Sequence, residues 1–154
     1  MTYPIDIIGL GAGTIDQLPL GIYRRIMSAQ RLVVRTKDHP VIAQLAEEGI
    51  EIESFDHVYE ACSDDFEQVY QVIVDKILQL AEQQPVLYAV PGHPAVAERT
   101  TVLLRESSAD VTVLGGSSFL DDMFQAVEVD PIDGFQLVDS FDLASNQLNP
   151  NQHL

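Results

Sequence analysis

The chain has 154 residues, enough for one domain with a substantial core. Eight basic against 24 acidic side chains leave a formal charge of -16, a field that repels nucleic-acid phosphates and anionic membranes, so neither is an expected partner. The single cysteine, Cys62, excludes an internal disulfide; with no basic-then-apolar leader and no apolar run near the ~18 residues of a membrane span, a cytoplasmic protein is expected.

In chain order, residues 5–10 form a short isoleucine-rich run that ends in Gly9, Gly11 and Gly13. A continuous apolar strand of this kind suits the middle of a parallel sheet, buried on both faces. Helical spacing follows over 21–29, with Pro19 near its start where proline is tolerated. A second strand is expected around Leu32, Val33 and Val34. A polar loop then ends at Pro40, a short helix covers 41–48, and Gly49 is placed to cap it. Residues 50–55 alternate apolar with acidic, which predicts a strand with one exposed face near an edge.

Residues 57–63 read as a loop, with Ser63 or Asp64 as N-cap of the next helix. That helix has the clearest periodicity in the chain. Phe66, Val69, Tyr70, Ile73, Val74, Ile77, Leu78 and Ala81 fall on one face. Residues 86–90 are an apolar strand that stops at Pro91, Gly92, His93 and Pro94. A helix is expected over 97–105, a fifth strand over 110–114, a turn at Gly115, Gly116, Ser117 and Ser118, and a helix over 119–127. The alternation predicts an α/β fold: a doubly wound parallel five-stranded sheet with helices on both faces. Residues 1–128 form the main lobe in this reading. Residues 129–154 form a linker and the start of something further, with one strand candidate at 135–138.

Three glycine-bearing loops, 9–13, 91–94 and 115–118, each follow a strand, so all open on one edge of the sheet, where ligands of such folds bind. Taken singly, each could be a structural turn. The first loop does not keep the G-x-G-x-x-G spacing, because its third position is Thr14, and no Gly-Lys-Ser/Thr follows to make a P-loop. His57 and His153 read as surface loop residues. His39 reads as a turn residue or a ligand contact, and His93 as a contact or shape element rather than a base. No histidine or cysteine is spaced as a metal site requires, and Ser117 and Ser118 lack a nucleophile motif, so catalytic residues stay unassigned and no metal is expected. The acidic pairs Asp64-Asp65 and Asp121-Asp122 read as a helix start and a helix face.

In this order the loops resemble the tetrapyrrole (corrin/porphyrin) methylase family. The segment from Ile7 to Gly13, with Asp16 and Leu18, is similar to its G-x-G-P-G-D-x-x-L-L-T start. The run from Val90 to Pro94 is similar to its G-G-D-P loop, and Val113 to Phe119 to its P-G-x-S-S motif. Residues 34–40, 88–94 and 130–135 resemble more narrowly a subgroup fused ahead of a MazG-type nucleoside triphosphate pyrophosphohydrolase. The departures are His93 for the family aspartate, Pro91 before Gly92, Gly115 for the family proline, and Ala12 where proline is usual.

The resemblance implies an S-adenosylmethionine-dependent methyltransferase acting on a small molecule, tetrapyrrole-like or of another kind that the sequence does not name, of which this chain is the N-terminal lobe and thus incomplete. Leu10, His93, Val96, Ser118 and Phe119 are implied to line the S-adenosylmethionine pocket, and a homodimer is implied as the assembly. The alternative it leaves open is a non-catalytic or ligand-sensing module of a MazG-type pyrophosphohydrolase.

Overall fold

Three apolar runs build the middle of the sheet. In the computed structural model, which describes residues 2–61, 65–144 and 148–152, they are β1 (Ile5–Gly9), β2 (Leu32–Val34) and β4 (Val86–Val90), with β3 (Glu53–Ser54) and β5 (Val111–Gly115) at the edges. The five strands lie in the order β3-β2-β4-β1-β5. Every pair is parallel, β1 running in register with β4 from Ile5 beside Val86 to Gly9 beside Val90.

Helices cover both faces, as the alternation predicts. On one face α1 (Leu20–Met27) and α2 (Pro40–Glu47) bury Ile22, Ile26, Val41, Ile42 and Leu45 against Ile8, Leu10, Leu32, Val34, Leu87 and Ala89. On the other, α3 (Asp56–Ala61), α4 (Phe66–Ala81) and α5 (Arg99–Glu106) bury Val58, Val69, Ile73, Val74, Ile77 and Leu104 against Ile5, Ile7, Val33, Val86, Tyr88 and Val90. Successive residues of one strand serve opposite cores, as the pleat requires. The connections after β1 and β2 run toward one edge, and those after β3 and β4 toward the other. The neighbours β4 and β1 therefore send their connections toward opposite edges.

Local chemistry sets most helix ends. Asp65 caps α4, its Oδ1 accepting from Gln68 N–H at 3.2 Å. The cap expected at Ser63 or Asp64 thus falls one or two residues later, at Asp65; Ser63 and Asp64 themselves, like Cys62 and His153, lie outside the described residues. Gly49 sits just past the C-cap of α2 at φ +83°, and the Ile50 N–H returns to the Leu45 carbonyl at 3.1 Å.

Four sequence expectations are corrected. The strand expected over 50–55 shrinks to Glu53–Ser54, because Ile50 is spent on closing α2. Residues 57–63 are not all loop. Helix α3 occupies Asp56–Ala61 and buries Val58, but its six residues are too few to display a helical period. Helix α5 starts at Arg99 rather than at 97, because Ala97 takes a left-handed conformation, φ 51°, and Glu98 caps the helix. No strand forms over 135–138. The Asp130 and Asp139 side chains instead close tight turns on either side, accepting from the Ile132 and Phe141 N–H groups at 2.9 Å each.

The chain divides into two compact units, residues 1–119 and 120–154. The first holds the sheet. The second holds most of α6 (Phe119–Val127), and within it Phe124 and Phe135 meet edge to face with centroids 4.9 Å apart. No helix among the described residues is long and apolar enough to cross a membrane.

Candidate functional site

The carboxyl ends of β4, β1 and β5 adjoin one another, so the three glycine loops meet. Their contact is of backbone on backbone. A Cβ on Gly9 would fall 2.2 Å from the Gly92 carbonyl oxygen and 3.1 Å from His93 Cα, and one on Gly116 would fall 2.7 Å from Gly9 Cα. Only residues without a side chain permit this approach. Gly11 and Gly92 exchange two hydrogen bonds, Gly11 N–H to the Gly92 carbonyl at 3.1 Å and Gly92 N–H to the Gly11 carbonyl at 2.8 Å. The Leu10 N–H donates to the Val90 carbonyl at 2.8 Å. The first two loops are therefore stitched together just beyond the carboxyl ends of β1 and β4.

His93 shapes the central loop. Its Nδ1 accepts from Ala95 N–H at 3.0 Å and its carbonyl from Val96 N–H at 3.0 Å. Its Nε2 lies 3.7 Å from where a Cβ on Gly115 would stand, so the ring spans to the third loop. Gly92, at φ +66°, turns the face that a Cβ would occupy toward open space, with nothing within 4 Å. That leaves a bare backbone platform beside an imidazole, of the kind a ligand can approach closely.

The five residues singled out in the sequence are placed unequally. His93, half-buried, stands at the meeting point. Val96, also half-buried, lies in the turn that follows it. Ser118 is half-buried next to Ser117, whose Cβ is 3.5 Å from where a Cβ on Gly11 would stand. Phe119 opens α6 with 42% of its surface exposed. Leu10 differs: its side chain is 2% exposed in the core under α1 and α2, so only its backbone faces the loops. The acceptor and donor chemistry of these groups suits a ligand with an amino acid end and an apolar or aromatic body.

Two further residues, not given a firm role by the sequence, hold the site from beneath. His39 caps α2, its Nδ1 accepting from Val41 N–H at 3.2 Å, and its Nε2 reaches the Gly11 carbonyl at 2.9 Å. With Nδ1 an acceptor, the proton belongs on Nε2, which donates to Gly11. Glu98, 2% exposed at its side chain, meets Arg35 at 2.5 Å and also accepts from the Thr100 hydroxyl at 2.6 Å. The Tyr88 hydroxyl completes the chain by donating to Thr100 Oγ1 at 3.0 Å. Burial works against the Arg35 charge, but Glu98 and the neighbouring Tyr59 more than offset it and raise the arginine pKa. Burial, aided by Glu98, raises the Tyr88 pKa far above that of a free phenol. Burial also raises that of Tyr59, whose hydroxyl lies against the Arg35 guanidinium without a well-formed hydrogen bond. The signal in the sequence was modest: His39 immediately before Pro40, and Glu98 before Arg99-Thr100, occupy N-cap positions.

Residues 4–151 match the family model described as Tetrapyrrole (Corrin/Porphyrin) Methylases. The chain belongs to this family. Among curated proteins it is 46% identical over 158 residues to the "Uncharacterized protein YabN" of Bacillus subtilis (strain 168), a match that takes in 100% of this chain and 32% of YabN. Among solved structures it resembles the cobalt precorrin-4 methyltransferase CbiF, with a TM-score of 0.53 and 19% identity, over 82% of this chain and 51% of that one. The chain thus spans about a third of YabN's length and about half of CbiF's. The likeness to CbiF is one of α/β fold.

Proposed function

We propose that this tetrapyrrole methylase domain binds S-adenosylmethionine on the three glycine loops and serves a methyltransferase. The observation that supports this reading is the convergence of those loops around Gly92, whose open face adjoins the His93 ring. His93, Val96, Ser118, Phe119 and the backbone of Leu10 are the groups assigned to the cofactor. When bound, the cofactor supplies an activated methyl group. The chain's part is to orient it, since methyl transfer depends on in-line positioning more than on a charged catalytic device. That accords with the loops themselves, which carry no acidic side chain at 9–13, 91–94 or 115–118. A tetrapyrrole-like acceptor and a homodimer belong to the same proposal. Isothermal titration with S-adenosylhomocysteine tests it: a saturable heat is expected, and no heat with either that compound or S-adenosylmethionine sinks the reading.

A second reading is a ligand-sensing module that binds without transferring a methyl group, beside a MazG-type pyrophosphohydrolase. What favours it is His93 in place of the family aspartate, together with the resemblance of residues 34–40, 88–94 and 130–135 to the fused subgroup. Methyl transfer to any acceptor by the longer relative would remove it. Gain of cofactor affinity in a His93→Asp variant would support it.

A further inference from the structure

The loop after β2 carries no glycine and lies outside the three that form the platform, yet it contacts two of them. Arg35 leaves β2 with its N–H on the Ala89 carbonyl at 3.0 Å, so it is fixed to the sheet. Its guanidinium grips Glu98, the residue that closes the central loop and caps α5. Four residues on, His39 donates to the Gly11 carbonyl. That same oxygen accepts the Gly92 N–H, so the brace and the stitch between the first and central loops converge on one atom.

The segment between the two anchors is stiffened by its own bonds. Asp38 N–H donates to Thr36 Oγ1 at 3.0 Å, His39 N–H to the Lys37 carbonyl at 2.8 Å, and Lys37 N–H to Asp56 Oδ2 at 3.0 Å on α3. His39 is 8% exposed. An imidazole capping a helix needs only Nδ1, and the reach of Nε2 to a neighbouring loop is not required by the cap.

We propose that residues 35–39 are a positioning brace for the glycine platform, with His39 holding Gly11 and Arg35 holding the end of the central loop. This rests on the cofactor reading for its functional meaning, but not for its mechanical content. The two are separable because Asn is as good an N-cap as any residue and is too short to reach Gly11. His39→Asn therefore keeps the cap and cuts the strut. His39→Gln keeps a donor long enough to approach Gly11.

Amide hydrogen exchange at Gly92 reads the mechanical part without any ligand. His39→Asn is expected to speed it about five- to tenfold, the loss of one net hydrogen bond, with the thermal midpoint lowered by only a few degrees because the helix cap is kept. His39→Gln is expected to restore most of the protection. Titration with S-adenosylhomocysteine should show a similar fold-loss of affinity in His39→Asn and recovery in His39→Gln. Unchanged Gly92 exchange in His39→Asn overturns the brace, whatever the titration shows. Altered exchange with wild-type affinity overturns its role in binding. If the wild-type protein gives no heat, the cofactor reading fails, and the exchange rates alone decide whether the brace exists.

Discussion

Arg35 and Glu98, 63 positions apart, meet at 2.5 Å where β2 ends and α5 begins, with the carboxylate almost wholly withdrawn from water. Removing one partner of such a pair strands the other. Glu98→Ala is expected to cost about 3 kcal/mol, since Arg35 keeps some access to solvent and the α5 cap is lost as well. Glu98→Gln keeps an acceptor for Thr100 and should cost clearly less. Urea unfolding of the two variants checks the order, and equal losses would contradict a contribution from charge.

Gly9, Gly92 and Gly116 separate packing from access. Alanine at Gly9 or Gly116 puts a methyl group into the backbone of a neighbouring loop, so each variant should lose about 2 kcal/mol or more of stability. Alanine at Gly92 meets nothing within 4 Å and bears only the strain of φ +66°, about 1 kcal/mol. Gly92→Ala is therefore expected to fold and to lose S-adenosylhomocysteine affinity. Thermal melts and titration on the same samples test both halves. A Gly92→Ala protein that binds normally would move the ligand off this platform.

Tyr88 is buried at the centre of the sheet with its hydroxyl on Thr100, which in turn serves Glu98. Tyr88→Phe should cost about 1 kcal/mol, because Thr100 retains its bond to Glu98. An ultraviolet titration of the folded protein should show one phenol fewer resisting ionisation in the variant than in the wild type.

Asp56 supplies the pH dependence that the structure makes legible. Burial raises its pKa, but hydrogen bonds from Thr36, the Lys37 N–H and Ser54 outweigh it and bring the net value below the ordinary 3.8. A carboxylate with a depressed folded-state pKa stabilises the protein above its unfolded value, and that contribution is lost as pH falls through the folded value. The stability gap between wild type and Asp56→Asn should therefore be constant at neutral pH, and should close as the medium is acidified below pH 3.8. A gap that widens in acid would refute the assignment.

Long-range order was written plainly where apolar residues repeat. The stripe from Val69 to Ala81 marked α4, and three apolar runs marked the central strands. Short elements escaped because two turns of pattern carry little information: α3 looked like loop, and Ile50 looked like strand although it finishes a helix. The glycine loops were visible, and their meeting followed from a parallel sheet. What could not be read was tertiary pairing. Nothing in the neighbourhood of His39 says that its far nitrogen finds Gly11, 28 positions away, or that Arg35 finds Glu98. Leu10 shows the converse limit: the family resemblance marked it for the site, while the pleat sends its side chain into the core.

The paired hydrogen bonds between Gly11 and Gly92 add one antiparallel rung to an otherwise parallel sheet. With that rung closed, β1 and β4 stay joined past their carboxyl ends, and main-chain atoms form the rim there. Such a rim depends on where the backbone lies, and Gly9 and Gly116 are what let the loops come together on it. Sequences that keep those glycines could drift widely at other positions and still present the same rim.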